Sequence, residues 1–137
     1  MNVKINYITD GDIAGALSVI GDKPQNDIYY STGGGPEGVI VAAALSCFGG
    51  QIQGRLVLND EEKIRAKKLG IQDFKKKYNI KDMVKGDVIF CASGVTSGDM
   101  TDGVKDLGDK YEVSTFALHK SEKAVSYTHL TLPTKRI

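Results

Sequence analysis

The sequence predicts an α/β fold, because segments of strand character alternate with segments of helical periodicity along its 137 residues. The composition is globular, with 41% hydrophobic and 26% charged residues, so a core can form without disulfides or a structural metal. Loops rich in glycine or acid follow three predicted strands, at Asp10, Gly33 and Ser93. Since ligands bind outside the carboxyl ends of strands in open α/β sheets, we expect these loops to share one edge and form one site.

Two strands and a helix are predicted before residue 32. Residues 4–9 carry the β-branched and aromatic side chains typical of a strand. Residues 12–20 have apolar side chains at helical spacing, and either Asp10 or Asp12 would serve as the N-cap. A short strand is then predicted at residues 27–31.

A buried helix is predicted over residues 37–48, which are alanine-rich and apolar nearly all round. Pro36 suits the first turn of this helix, where its missing N–H costs nothing. Gly49 and Gly50 suit its C-terminal end.

The alternation continues in the rest of the chain. A charged helix is predicted over residues 60–69, between Asn59 as N-cap and Gly70 as its end, and a further helical segment at residues 71–78. Strands are predicted at residues 51–58, 87–92 and 111–119, a turn at 81–85 and a hairpin turn at 121–124.

Charge and cysteine usage favour a cytoplasmic protein without nucleic-acid or membrane partners. The formal net charge is only +1. The run Lys75-Lys76-Lys77 is interpreted as a solvated helix face because acids surround it in the sequence, with phosphate contact as the alternative. Cys47 and Cys91 lie in apolar stretches and are predicted to be buried, reduced thiols. We expect no signal peptide, and no apolar run reaches the roughly 18–20 residues that a membrane helix needs.

Three short motifs contain groups that suit the binding of a metal ion, a sugar or a phosphate. Asp10-Gly11-Asp12 places two carboxylates around a glycine, which suits a hard cation or sugar hydroxyls, although a helix cap explains it equally well. Gly33-Gly34-Gly35 leads into a helix N-terminus, an arrangement that binds phosphate, and Glu37 follows as a ligand for Mg²⁺ or Mn²⁺. Residues 93–96 would contact phosphate or form a plain turn.

Nucleophilic catalysis of the serine-hydrolase type has no support in the sequence. His119 is interpreted as a surface residue, and no Ser-His-Asp set is visible. Acidic residues beside a phosphate cradle instead favour attack by a metal-activated water, because the metal lowers the pKa of that water.

Three sequence blocks resemble class II fructose-1,6-bisphosphatases. They read YITDGDIAGAL, STGGGPEGVIVAAALSCFGGQIQGRL and GDVIFCASGVTSGDM, in the family's order and spacing, and the resemblance covers residues 5–124. It implies the C-terminal portion of a layered α/β sandwich of the sugar phosphatase type, related to the lithium-sensitive phosphatases. It also implies hydrolysis of the 1-phosphate of fructose 1,6-bisphosphate to fructose 6-phosphate with Mn²⁺ or Mg²⁺, in gluconeogenesis and glycerol metabolism.

The resemblance also implies roles for individual residues. The expected substrate contacts are Asp10, Gly11, Asp12 and Gly34, and the expected metal ligand is Glu37, while the catalytic residues stay unassigned. The family's other metal ligands and its basic phosphate clamp are expected in an N-terminal half that this chain lacks. We therefore expect the chain to be inactive alone, and a homo-oligomer is one possible state of the intact enzyme.

The chain is predicted to divide at residue 124. Residues 1–124 are interpreted as part of the catalytic domain. Residues 125–137, VSYTHLTLPTKRI, resemble the in-frame translation of a transposon-type sequencing adapter and are predicted to be non-native, so His129 receives no functional weight.

Two other functions remain open on the residues alone. The first is a haloacid-dehalogenase-like phosphatase with Asp10 as nucleophile, although Ala14 stands where that family has Thr or Val. The second is a non-catalytic phosphosugar-binding module that uses the turn from Gly33 to Gly35. An acyl-phosphate on Asp10 would identify the former, and binding that ignores divalent metal the latter.

Overall fold

A computed structural model describes residues 2–9, 11–21, 23–98 and 100–121 of the chain, and the backbone of residues 125–135. The α-helices are α1 (Asp12–Leu17), α2 (Gly35–Phe48), α3 (Asp60–Lys68) and α4 (Ile80–Met83). The β-strands are β1 (Gln53–Arg55), β2 (Lys77–Asn79), β3 (Val88–Ser93), β4 (Lys105–Asp106), β5 (Lys110–Lys120) and β6 (Val125–Lys135). None of these helices is both long and apolar enough to cross a membrane.

The strands form two small antiparallel sheets. In the first, β1 pairs with β2, with Arg55 opposite Lys77. In the second, β5 pairs with β3, with β4 and, over residues 110–120, with β6. The chain is therefore a mixed α/β protein, and the prediction of the α/β class is confirmed at this level.

The segment predicted to be non-native largely coincides with β6, whose backbone pairs with β5 in the register expected of a hairpin. Residues 122–124 of the predicted hairpin turn lie outside the described residues. The division of the chain at residue 124 stays a prediction.

Helix α2 lies at the centre of the core. Its buried side chains pack with residues of α1, β3 and β5; the cluster contains Ala16, Leu17, Val41, Ala44, Leu45, Cys47, Val88, Phe90 and Leu118. Phe116 of β5 extends it, with ring centroids 6.4 Å from Phe48 and 6.3 Å from Phe90. Since α2 is apolar on nearly every side, burial rather than amphipathic spacing fixes its position.

Local end signals predicted the two long helices well. Pro36 occupies the first turn of α2, and Gly49 ends it with φ 70°, a left-handed conformation that favours glycine. Helix α3 begins at Asn59, whose side chain accepts a hydrogen bond from the backbone N–H of Glu62 at 2.9 Å. The Glu62 carboxylate accepts one from the Asn59 N–H at 2.8 Å, which completes a capping box.

Two predicted strands are wrong. Residues 4–9 and 27–31 lie in neither helix nor strand, and most of their large side chains are exposed, by 88% at Tyr7 and 93% at Tyr30, whereas Tyr29 is half-buried against the core. Their composition has strand propensity, but propensity stabilises a strand only when a neighbour completes the ladder, and none of the described residues pairs with them.

The segment after α3 also differs from its prediction. Residues 71–78 do not form a helix, because the Asp73 carboxylate accepts a hydrogen bond from the Lys75 N–H at 2.8 Å and turns the chain into β2. The predicted turn at residues 81–85 is partly the short helix α4, whose N-cap is Asn79. The predicted strand at 51–58 is reduced to β1.

The two cysteines differ in exposure. Cys47 is 1% exposed, as predicted, and burial raises the pKa of its thiol despite opposing effects of Ser46 and Lys120. The prediction for Cys91 is wrong, since Cys91 is exposed. In β3, Val88 and Phe90 face the core, so the intervening Ile89 and Cys91 point away from it.

Candidate functional site

An open cavity of about 740 Å³ lies where α1, α2 and β3 meet. Three parts of the chain line it. The lining residues are Thr9, Gly11, Asp12, Ile13 and Ala14 around the start of α1, Glu37 and Ile40 of α2, and Phe90, Cys91, Ala92 and Met100 in and after β3. The cavity therefore joins the first predicted motif to the second.

Gly11 turns the chain so that Asp12 enters the cavity wall. Its φ of 79° and ψ of 50° are left-handed, a conformation that glycine adopts without the Cβ penalty. Gly11 rather than Asp12 is the N-cap of α1, so the prediction of Asp12 as cap is wrong. Asp12 instead lies in the first helical turn, where the helix dipole favours its negative charge.

The Asp12 carboxylate connects α1 to the glycine turn. Its Oδ1 accepts a hydrogen bond from the Tyr29 hydroxyl at 3.2 Å. Its Oδ2 lies so close to Gly33 that a Cβ added there would collide with it. Gly33 therefore lets the backbone approach the Asp12 carboxylate closely. The sequence had predicted only a role in phosphate binding for this glycine.

Glu37 lies in the first turn of α2. Gly34 is the N-cap, with φ −68° and ψ 146°, and it has no side chain with which to occupy the first N–H groups of the helix. The Glu37 carboxylate turns back against Gly34, where an added Cβ would collide with Oε2. The positive end of the α2 dipole thus holds Glu37 beside the cavity.

The charge of the cavity suits a cation. Two carboxylates, those of Asp12 and Glu37, line it, and none of the described lining residues is Lys, Arg or His. Mg²⁺ and Mn²⁺ take oxygen ligands, and Mg²⁺ commonly uses one or two protein carboxylates together with substrate phosphates. Over the described part of the chain, no group of three or more His, Cys, Asp or Glu side chains could hold a metal. The donor set therefore fits a divalent cation that also takes ligands from elsewhere.

The predicted site residues are only partly brought together. Gly11, Asp12 and Glu37 line one cavity, whereas Gly34 lies beside Glu37 and not among the lining residues. Asp10 lies outside the described residues, so its predicted role stays a prediction. The prediction that the loops meet at the carboxyl edge of one sheet is wrong, because the cavity lies between the starts of two helices and β3.

The third predicted loop does not join the cavity through Ser93. The Ser93 and Thr115 hydroxyls form a hydrogen bond of 2.9 Å across β3 and β5. Farther along, the Ser97 hydroxyl accepts a hydrogen bond from the Gly103 N–H at 2.9 Å. These contacts favour the plain turn over the phosphate contact.

Eight of the residues that line the cavity were not predicted as site residues, among them Thr9, Cys91 and Met100. Strand alternation from Val88 would have placed Cys91 on the face away from the core. Met100 carries no local signal, since the turn after β3 brings it to the cavity.

Comparison with known proteins identifies the family. The family model described as bacterial fructose-1,6-bisphosphatase, glpX-encoded, matches residues 1–131. The chain is 32% identical over 138 residues to the D-fructose 1,6-bisphosphatase class 2/sedoheptulose 1,7-bisphosphatase of Synechococcus sp. (strain JA-3-3Ab), covering 90% of this chain and 40% of that protein. It is 29% identical over 133 residues to fructose-1,6-bisphosphatase 2 class 2 of Escherichia coli (strain K12), covering 86% and 41%.

The chain thus spans about two fifths of the length of these relatives. The match extends through all three motifs and favours the class II bisphosphatase over the haloacid-dehalogenase-like alternative. By this match over nearly its whole length, the chain belongs to the family of bacterial, glpX-encoded fructose-1,6-bisphosphatases.

Proposed function

We propose that this chain supplies part of the active site for metal-dependent hydrolysis of the 1-phosphate of fructose 1,6-bisphosphate, giving fructose 6-phosphate and phosphate. The observation that carries the proposal is that Asp12 and Glu37 line one cavity beside a glycine turn. The relatives' names identify fructose-1,6-bisphosphatases, which supports the substrate. The first relative's name adds sedoheptulose 1,7-bisphosphatase, so that sugar is a second candidate.

In this proposal Glu37 is a ligand of Mn²⁺ or Mg²⁺, and Gly11, Asp12 and Gly34 contact the phosphosugar. When bound, the metal would activate water and offset charge on the phosphoryl group. The α2 N-terminus would add N–H groups for phosphate, because the first N–H groups of a helix have no intrahelical acceptor. Asp12, kept in orientation by the Tyr29 hydroxyl, would accept hydrogen bonds from sugar hydroxyls.

The fuller context belongs to the same proposal. The complete enzyme would have the layered sandwich of the sugar phosphatases, act in the cytoplasm in gluconeogenesis and glycerol metabolism, and be able to form homo-oligomers. The 137-residue chain would not turn over substrate alone, because two carboxylates do not complete a divalent phosphatase centre.

A chimera tests the proposal. We would replace the segment of the Escherichia coli relative that this chain matches with the corresponding residues of this chain, and measure phosphate release from fructose 1,6-bisphosphate with Mn²⁺. In the chimera, Glu37→Gln should lower kcat by more than the roughly 10- to 100-fold typical of losing an outer-shell partner. Glu61→Gln is the matched control, because Glu61 lies in the first turn of α3, outside the lining of the cavity.

Two further results would decide between alternatives. An active chimera in which Glu37→Gln and Glu61→Gln behave alike would refute the role of Glu37. Phosphosugar binding by the chimera that is unchanged by Mn²⁺, without phosphate release, would instead support the non-catalytic binding module.

A further inference from the structure

A second cavity, of about 410 Å³, lies on the two-stranded sheet, outside the candidate site. Its walls come from the end of β1, the turn before β2 and the start of β2. The lining residues are Arg55, Leu56, Val57, Phe74, Lys75 and Lys77. None of the described residues that line it is acidic, so its side chains carry only positive charge.

The register of the sheet places two of these cations against each other. Arg55 and Lys77 are direct Cα partners in the antiparallel pair β1–β2. Side chains of directly opposite residues lie on the same face, with Cβ atoms about 4.5–5.5 Å apart, and like charges there are destabilising. An anion between them would turn this repulsion into two attractive contacts.

Neighbouring acids do not neutralise these cations. The Lys76 ammonium pairs with Asp82 at 2.8 Å, and the Asp73 carboxylate accepts the Lys75 backbone N–H. Over the described part of the chain, Arg55, Lys75 and Lys77 take part in no ion pair. The lysine run thus divides into one paired ammonium and two that line the cavity.

The remaining wall of the cavity is apolar. Phe74 is half-buried, and Leu56 and Val57 lie on the β1 side. A volume of about 410 Å³ falls within the roughly 300–1,000 Å³ of small-molecule sites, which combine apolar walls with a few polar groups. An inorganic anion would not contact this apolar wall, so an anion with an apolar group fits the cavity better.

We propose that this second cavity binds a phosphate monoester, with its phosphate held by Arg55, Lys75 and Lys77 and its organic group packed on Phe74. Arginine and lysine are the side chains that most often bind phosphate, and arginine does so with two parallel hydrogen bonds. This site is separate from the acidic cavity and does not depend on phosphatase activity.

The test is a ¹⁵N–¹H NMR titration of the full 137-residue chain in metal-free, low-salt buffer, with phenyl phosphate in one arm and inorganic phosphate in the other. We expect both anions to shift the amides of residues 55–57 and 74–77, and phenyl phosphate to bind several-fold more tightly. Arg55→Gln should weaken both affinities about tenfold, the loss expected for a charge-assisted hydrogen bond. Lys77→Gln provides a second variant should Arg55→Gln misfold.

Two controls make the outcome decisive. Lys76→Gln removes one charge from the same lysine run but outside the cavity, and should change affinity less than about twofold, as a screened surface charge does. Phe74→Leu should remove the preference for phenyl phosphate. The proposal is overturned if no amide of the cavity shifts, if Lys76→Gln weakens binding as much as Arg55→Gln, or if the two anions bind equally well.

Discussion

Replacing Gly11 by alanine tests whether the turn that positions Asp12 exists. Among the described residues the added Cβ would meet only the Ala14 Cβ, at 3.9 Å, which is an ordinary van der Waals contact and adds no steric cost. The obstacle is the φ of 79°, because a residue with a Cβ is about 1–2 kcal/mol less stable in the left-handed region. Alanine also makes the unfolded chain less flexible, which stabilises the folded state by about 0.4–1 kcal/mol. We therefore expect the free energy of unfolding to fall by a net amount near ~1 kcal/mol.

The same substitution at Gly38 should raise the free energy of unfolding instead of lowering it. Gly38 lies inside α2, and a Cβ added there meets none of the residues that the structure describes within 4 Å. Alanine is favoured over glycine in a helix interior by about 0.5–1 kcal/mol, so Gly38→Ala should stabilise the chain. Gly86→Ala, at φ 72° with open space around it, should repeat the loss at Gly11.

Urea denaturation, followed by far-ultraviolet circular dichroism, measures the stability of all three variants. For a urea dependence of about 1–3 kcal/mol per molar, a loss of 1 kcal/mol lowers the midpoint by roughly 0.3–1 M. If Gly11→Ala leaves the midpoint unchanged while Gly86→Ala lowers it, the left-handed turn at Gly11 is wrong. The placement of Asp12 in the cavity wall then loses its basis.

Four further predictions concern the site, the two cysteines and the start of α3. Gly33→Ala should displace the Asp12 carboxylate that an added Cβ would meet, and so raise the KM of the chimera for fructose 1,6-bisphosphate. Cys91 should react with a thiol reagent in the folded protein, and Cys47 only after unfolding. Because burial raises the pKa of Cys47, the unfolded chain loses this proton first, and stability should fall as pH rises past the ordinary value of 9.0. Asn59→Ala should cost about 1 kcal/mol in urea denaturation, through loss of the capping box.

Each of these has a matched control. Gly35→Ala adds a Cβ that meets no described residue within 4 Å and should leave the KM of the chimera unchanged. Cys91→Ser should abolish labelling of the folded protein, and Cys47→Ala should flatten the fall in stability above pH 9. Gln72→Ala removes an exposed amide outside any helix and should cost less than about 0.5 kcal/mol. Labelling of Cys47 in native buffer, or equal losses at Asn59 and Gln72, would contradict the structure.

The strands predicted at residues 87–92 and 111–119 are confirmed as β3 and β5, which pair with each other, and the two long helices were predicted correctly from signals at their own ends. Pro36 and Gly49 bracket α2, and Asn59 starts α3, because capping is decided within a single turn. Residues 4–9 carry equally clear strand composition, yet a strand also needs a partner, and composition does not provide one. Pairing is a property of two segments, so one segment cannot predict it.

The meeting of the acidic motif and the glycine turn was predicted, but the way in which the fold brings them together was not. The acidic motif and the glycine turn were expected to meet at the carboxyl edge of a sheet, but they meet because Gly33 lets the Asp12 carboxylate lie against the backbone. A glycine that serves close approach and one that serves phosphate binding look identical in sequence. Only the position of the neighbouring carboxylate distinguishes them.

The net charge of this chain does not show how its ionisable groups are distributed. A formal charge of +1 suggests weak electrostatics, yet among the described lining residues one cavity has two carboxylates and no base, and the other has three cations and no acid. Because charges of one sign are clustered in each cavity, each cavity favours a ligand of opposite sign. The acidic cavity should therefore attract a cation and the basic one an anion, and raising the salt concentration should weaken both kinds of binding. A salt effect on only one of them would show that the other is held by shape rather than by charge.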